Sequence, residues 1–296
     1  MRVTVLLATV LAVTVVSCAD ANRAYVRKAV RIMDKEGLFA EGPAWDSTRT
    51  AALHCSPASL DDAQDIVRSA LLVAGGKHSF LKAADRVAED AASDSWPSPE
   101  VTIGEDGIAQ IILPRFSGNP TEGVKYADTV LQALPDSLSG AVIDLRDNTG
   151  GDMYPMISAI HRFLPDGNVL RFRSRKRTQW IPLSYVVKCT GLPRYARIDC
   201  PVALLTNEWT ASSGEAVLLC FRGLDSVRVF GGPTAGYASA NRPFPMPDGS
   251  SLVLTTGCDV ARTGEVFCDD PIDPDELTGT PLEDALAWLR SFRPGN

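Results

Sequence analysis

Gly140-Ala141-Val142-Ile143-Asp144-Leu145-Arg146-Asp147-Asn148-Thr149-Gly150-Gly151 is the stretch whose reading decides the fold. Ala141 to Leu145 is an apolar run of strand length, as expected for a strand covered on both faces. Asn148 to Gly151 then turns the chain into a helix expected over Tyr154 to Leu164. The paired glycines permit backbone angles closed to other residues and let a ligand approach the main chain closely. Their N–H groups could stabilise an oxyanion; the alternative is a tight strand-to-helix turn and nothing more.

A second unit of the same kind follows. Val202 to Thr206 reads as a buried strand, Thr210-Ala211-Ser212-Ser213-Gly214-Glu215 as a turn, and Ala216 to Arg222 as a helix. A serine at such an elbow presents its hydroxyl near the positive end of a helix dipole, although serine is also a common helix cap. Further strands are expected at Val169 to Phe172 and Val227 to Phe230. A pair of strands should flank the Asp248-Gly249 turn, and Leu282 to Phe292 should form a closing helix. Upstream, Val101 to Ile103 and Ile108 to Leu113 bracket a turn-rich link and predict a hairpin, with an amphipathic helix over Thr121 to Leu134. Alternating strands and helices imply an α/β fold with a mixed-sheet core and its loops gathered at one edge.

Residues 23–95 are different. Tyr25, Val26, Val30, Ile32 and Met33 recur at helical spacing, and helices are expected over Pro43 to His54 and Leu60 to Val73. Ser59 with Asp61 and Asp62 marks the start of the third, and Gly75-Gly76 its end. The chain therefore divides into residues 1–22, a helical subdomain over 23–95 and a core over 96–296.

Residues 1–22 begin with an uncharged run from Val3 to Val16, too short to span a bilayer comfortably. It fits the apolar segment of an export signal. Val15-Val16-Ser17-Cys18 is similar to a lipobox, which would make Cys18 a lipidated N-terminus and anchor the protein to the cell envelope. Cleavage after Ala19-Asp20-Ala21, giving a secreted or periplasmic protein, and an uncleaved short anchor are the other readings. Beyond Cys18 there are six cysteines, an even count that permits disulfides in an exported chain. Cys258 and Cys268 could staple a hairpin, Cys189 and Cys200 could close a loop, and Cys220 fits a buried thiol. Without a Cys-x2-Cys pair or a nearby histidine, no metal and no cofactor is expected. Net charge of −7 argues against nucleic acid.

Taken in order, Asp144-Leu145-Arg146-x-Asn148-x-Gly150-Gly151, Thr210-Ala211-Ser212-Ser213-x-Glu215, Gly231-Gly232-Pro233-Thr234-Ala235-Gly236, Asp248-Gly249-Ser250 and Pro271-Ile272-Asp273-Pro274-Asp275 resemble the C-terminal processing (tail-specific) serine peptidases. The likeness extends over roughly residues 97–290 and implies crotonase-like ββα units. It makes Ser212 the nucleophile, and it assigns the oxyanion hole to the N–H of Ser213 with that of Gly150 or Gly151. Most members carry a lysine base just after the glycine of the Pro-Thr segment, where this chain has Tyr237. A phenol with a pKa near 10 is a poor base at neutral pH. The missing lysine, the absence of a PDZ-sized insertion and Gly75-Gly76-Lys77-His78-Ser79 are closer to the nisin resistance protein subgroup. That subgroup pairs its serine with a histidine from the helical region. The resemblance thus implies a Ser212–His78 dyad acting on extended peptides or C-terminal tails. His54 and His161 fall inside helical runs and read as structural. Glu215 could orient the dyad, contact substrate or merely favour a helix N-terminus; Asp144 and Arg146 read as an ion pair serving their turn. A catalytically inactive peptide-binding or ligand-binding protein on the same fold is the alternative reading.

Overall fold

Strands with both faces apolar need cover on both sides, and the computed structural model supplies it. The structure describes the backbone of residues 3–92 and 96–292 and the side chains of residues 20–89 and 96–292. Cys18, the expected lipidation site, lies outside the described side chains. The chain forms two compact units, residues 1–89 with 241–257, and residues 90–240 with 258–296.

The first unit is built on α1 (Val3–Glu36), α2 (Gly42–His54) and α3 (Leu60–Gly75), followed by β1 (Phe80–Lys82) and α4 (Ala84–Ala92). Among the described residues no helix is long and apolar enough to cross a membrane. Tyr25, Val26, Ala29, Val30 and Met33 form one stripe of α1. They pack with Trp45 of α2 and with Val67, Ala70, Leu71 and Ala74 of α3. The α3 start is a capping box: Ser59 Oγ accepts from Asp62 N–H at 3.1 Å and Asp62 Oδ2 from Ser59 N–H at 3.1 Å. Gly76, at φ 70°, caps its end as the Gly-Gly pair predicts.

The second unit opens with the expected hairpin, β2 (Glu100–Ile103) and β3 (Ile108–Ile112), then α5 (Pro120–Ala133) and β4 (Gly140–Asp144). α6 (Met153–Ala159) is shorter than its pattern, because the chain tightens into a 3-10 turn at His161–Phe163. β5 (Asn168–Arg173), β6 (Thr178–Pro182) and α7 (Leu183–Thr190) follow, the last two unassigned from sequence. Next come β7 (Val202–Thr206), α8 (Ser213–Phe221) and β8 (Val227–Gly231). β9 (Ser239–Pro245) and β10 (Ser251–Val260) carry the chain between the units, and β11 (Val266–Phe267), β12 (Glu276–Leu277) and α9 (Pro281–Ser291) complete it.

The central sheet runs β12-β8-β7-β4-β3-β2, parallel throughout except for the β2–β3 pair. Side chains alternate across it. Ala141, Ile143, Val202 and Leu204 join the core shared with α5, α6 and α8. Val142, Ala203, Leu205 and Phe230 meet Ala285 and Leu289 of α9 on the other face. β10 pairs with β1 through Ser251–Val253 inside the first unit. Its last residues, Cys258–Val260, pair with β5 inside the second.

Cys258 and Cys268 are disulfide-bonded. Cys189 and Cys200 are not: both are free thiols, so the loop closure that their spacing allowed is not made. Residues 196–198 are held elsewhere, with Ile198 N–H donating to the Arg162 carbonyl at 2.7 Å and Arg162 Nε to the Ala196 carbonyl at 3.0 Å. Cys220 is buried, which raises its thiol pKa.

Candidate active site

Three loops leave the carboxyl ends of β4, β7 and β8, where parallel sheets gather their ligands. Asn148, wholly buried, joins the first two. Its Nδ2 donates to the Leu113 carbonyl at 2.8 Å, its Oδ1 accepts from Gly150 N–H at 2.9 Å, and its carbonyl accepts from Ala211 N–H at 2.9 Å. Thr210 adds a second tie, Oγ1 donating to the Leu145 carbonyl at 2.8 Å. Ser213 Oγ adds a third, donating to the Gly151 carbonyl at 2.6 Å.

The glycines of the first loop are required by sterics. A Cβ on Gly151, at φ 121°, would lie 1.8 Å from the Phe116 carbonyl oxygen. One on Gly150, at φ 95°, would lie 2.8 Å from Ser212 Cβ and 3.0 Å from Ser213 N. Gly150 is thus packed directly on the serine elbow. Its own N–H is taken by Asn148, whereas the N–H groups of Gly151 and Ser213 meet no acceptor among the described residues.

Ser212 precedes α8 with φ 52° and ψ −113°, a backbone state that L-residues seldom adopt. Glu215 holds it there. The Glu215 carboxyl is fully buried. It accepts from Ser212 N–H at 2.7 Å, Thr234 Oγ1 at 2.5 Å, Gly236 N–H at 2.9 Å and Tyr237 N–H at 2.8 Å. Burial raises its pKa, and the Thr234 and main-chain donors pull it back. With four donors aimed at two oxygens, the carboxylate is the form this site accommodates. Tyr237 therefore enters the cluster through its main chain. Asp144 and Arg146 form a bidentate pair, with Nη2 to Oδ2 at 2.5 Å and Nε to Oδ1 at 2.9 Å, at the base of the first loop.

His78 belongs to the first unit, just past the α3 cap. Gly75 is needed for that turn, since a Cβ there would meet Ser79 Oγ at 2.0 Å. Ser79 is buried. Its Oγ accepts from Thr255 N–H at 2.8 Å and lies 2.9 Å from the Gly75 carbonyl and 3.0 Å from Thr255 Oγ1, one of which takes its single proton. Asn241 Nδ2 donates to the His78 carbonyl at 2.8 Å. The main chain on both sides of the imidazole is thereby fixed. Burial, with a smaller contribution from Lys77, lowers the His78 pKa to about 4 and keeps the ring neutral.

The other two histidines make local contacts. His161 is buried; its Nδ1 lies 2.7 Å from the Ser158 carbonyl and its Nε2 accepts from Tyr195 N–H at 3.2 Å, which fixes the tautomer. His54 is exposed and its Nδ1 lies 2.8 Å from the Thr50 carbonyl in the preceding turn.

Sequence reasoning did not single out Asn148, Thr210 or Thr234 as organising residues. An asparagine between a buried strand and a Gly-Gly turn was the available signal for the first. Asp259, fully buried beside Glu215 with one oxygen lacking a partner among the described residues, was also missed.

Comparison with known proteins agrees with this architecture. The model of peptidase family S41 matches residues 107–278, more than half of the chain. The nisin-resistance protein of Lactococcus lactis subsp. lactis is 30% identical over 277 residues, covering 90% of this chain and 86% of that protein. A probable CtpA-like serine protease of Staphylococcus aureus is 28% identical over 193 residues, 64% of this chain but only 37% of the relative. Among solved structures, a lipoprotein from Streptococcus agalactiae superposes with a TM-score of 0.83 at 30% identity, covering 92% of this chain and 96% of that one.

Proposed function

Because the chain belongs to peptidase family S41, we propose that it is an exported serine endopeptidase that cleaves extended peptides through a Ser212–His78 dyad. The observation that carries this reading is the Ser212 elbow: a strained serine at the start of α8, fixed by Glu215 and packed on Gly150. Strain held in place by surrounding bonds at a loop edge is characteristic of functional sites. His78 is the base by its chemistry and by its match to the histidine of the resembled subgroup. Tyr237 stands where the family lysine is expected, His161 has both ring nitrogens engaged, and His54 serves its own helix turn.

In this mechanism neutral His78 removes the Ser212 hydroxyl proton as Oγ bonds to the peptide carbonyl carbon. The N–H groups of Gly151 and Ser213 receive the oxyanion, reinforced by the positive end of α8. Collapse breaks the C–N bond, and protonated His78 returns its proton to the departing amine. Water, deprotonated by the same imidazole, then attacks the acyl carbon; the Oγ–C bond breaks and His78 returns that proton to Ser212 Oγ. Gly150 supports the elbow sterically, because its own N–H is bound to Asn148.

The same reading takes the protein to the cell envelope, held by a lipid on Cys18. The resistance for which the Lactococcus relative is named makes nisin the first substrate to test, and the Streptococcus neighbour is itself a lipoprotein.

Reaction of the mature protein with a fluorophosphonate probe tests the chemistry. Labelling should be present in the wild type and absent from Ser212→Ala, and His78→Ala should slow it by at least ~100-fold. A folded wild type that resists small probes would favour a peptide-binding protein, the reading that the missing lysine supports. Undiminished labelling of His78→Ala would assign the base elsewhere.

A further inference from the structure

Charge is segregated along this chain. Residues 167–198 contain eight basic side chains and no acidic one, while the rest of the chain carries 21 basic residues against all 36 acidic ones; Arg194 and Arg197 pair with Asp166 and Asp199 at the borders of the segment. Five of the eight, Arg171, Arg173, Arg175, Lys176 and Arg177, fall within the β5–β6 hairpin. The hairpin is an antiparallel ribbon with a register shift between Asn168 and Leu170, beyond which Arg171 lies opposite Trp180 and Arg173 opposite Thr178. The connecting turn is closed by Ser174 N–H donating to the Arg177 carbonyl at 2.9 Å, and Ser174 Oγ accepts from Arg177 N–H at 3.0 Å. Arg171 and Arg173, two apart on one strand, share a face with the two cross-strand partners. On that face the Arg171 guanidinium lies 4.5 Å from the Trp180 ring centre, and Trp180 is 52% exposed. α7, which continues from β6, adds an exposed Lys188 and a Tyr185 that is 48% exposed.

Protection of a sheet edge does not account for this pattern. That device puts charge on the edge strand itself. Here the edge strand β6 carries no charge and exposes a tryptophan, while the cations sit on β5 and in the turn. Basic side chains in a hairpin that exposes Trp180, followed along the chain by the exposed Tyr185, match instead what an anionic bilayer surface selects. Cations meet lipid phosphates, and aromatic rings settle at headgroup depth. A polysaccharide polyanion such as heparin would use the cations but gives no reason for the two rings, and a single-stranded nucleic acid, whose bases could stack on them, is disfavoured by the net charge of −7.

We infer that the β5–β6 hairpin with the start of α7 is a membrane-contact surface for anionic phospholipid, separate from any lipid on Cys18. The inference stands independently of the peptidase mechanism, since it uses none of the residues assigned to catalysis.

Flotation of the full chain with vesicles tests it, using phosphatidylcholine alone and phosphatidylcholine mixed with phosphatidylglycerol. An N-terminal anchor would contribute equally to both compositions, so the difference isolates the charge contact. The wild type should prefer the anionic vesicles, and the preference should shrink as salt is added. Arg175→Ser, Lys176→Ser and Arg177→Ser combined should cut binding to anionic vesicles at least tenfold, since each cation near such a surface is worth about fivefold. Binding to neutral vesicles, the thermal melt and Ser212 labelling should not change. Trp180→Ala should weaken binding to the anionic vesicles on its own. Equal binding of wild type and triple variant to anionic vesicles would overturn the inference. So would a salt-sensitive preference for a soluble polyanion such as heparin with none for the vesicles.

Discussion

The backbone N–H of Ser212 donates to Glu215 Oε2 at 2.7 Å, and that same oxygen accepts from Tyr237 N–H at 2.8 Å. One carboxylate oxygen therefore ties the serine elbow after β7 to the loop after β8. Of the roles open to Glu215, positioning of Ser212 is the one these contacts describe. Glu215→Gln turns an amide N–H2 onto donors that the carboxylate had satisfied. Leaving one or two buried donors unsatisfied should cost ~2–4 kcal/mol in denaturant unfolding. Probe labelling of Ser212 should fall more than about tenfold. A variant as stable and reactive as wild type would remove Glu215 from the site.

Ser212 itself stores strain at φ 52° and ψ −113°. Both Ser212→Ala and Ser212→Gly lose the proposed nucleophile, but only glycine tolerates the geometry. Ser212→Gly should be more stable than Ser212→Ala by ~1–2 kcal/mol, a Tm difference of several degrees. Equal melting temperatures for the two variants would mean that the elbow is unstrained in solution.

Gly151→Ala places a methyl group 1.8 Å from the Phe116 carbonyl at a φ of 121°. Relief requires moving the main chain of the loop that carries the proposed oxyanion donors. We expect a loss of ~3 kcal/mol or more in stability together with loss of labelling. Gly167→Ala, also at positive φ but with open space around it, is the control, and should show only the smaller cost of its backbone angle.

His78 gives the pH dependence its sign. Its folded pKa, about 4, lies below the ordinary value of 6.5, so between those limits the unfolded chain binds a proton that the native chain does not. Stability from keeping this ring neutral is complete above pH 6.5 and is lost progressively as pH falls to about 4, by up to ~3 kcal/mol. Against His78→Gln, which cannot titrate, the wild type should lose that much more stability over this interval. The acid limb of kcat/KM should likewise fall near pH 4. A limb centred on 6.5 would mean that the working base is a solvated imidazole.

Removing the Cys258–Cys268 bond opens a short loop between the end of β10 and the segment after β11. Cys258→Ser with Cys268→Ser should lower unfolding free energy by roughly 2–3 kcal/mol on loop-entropy grounds. Reducing agent should produce the same loss in the wild type and none in the double variant.

Local pattern alone determined a good part of this protein. The apolar runs that became β4 and β7, the Ser59 capping box, the Gly75-Gly76 stop and the two strand-to-helix turns all depend on residues within a few positions of one another. Such features are encoded by side-chain period and by backbone preference, and both are readable from the chain. β6 and α7 were not, since their short mixed pattern takes its form from pairing with β5 and from core contacts. What the tertiary structure alone decided is which polar group meets which. Glu215 faces Thr234, Gly236 and Tyr237, and Asn148 faces Leu113 and Ala211, because β3, β4, β7 and β8 lie side by side in parallel register. Those partners are 19 to 63 residues apart. The free energy of a buried hydrogen bond depends on geometry set by the whole sheet, and no sequence period records it.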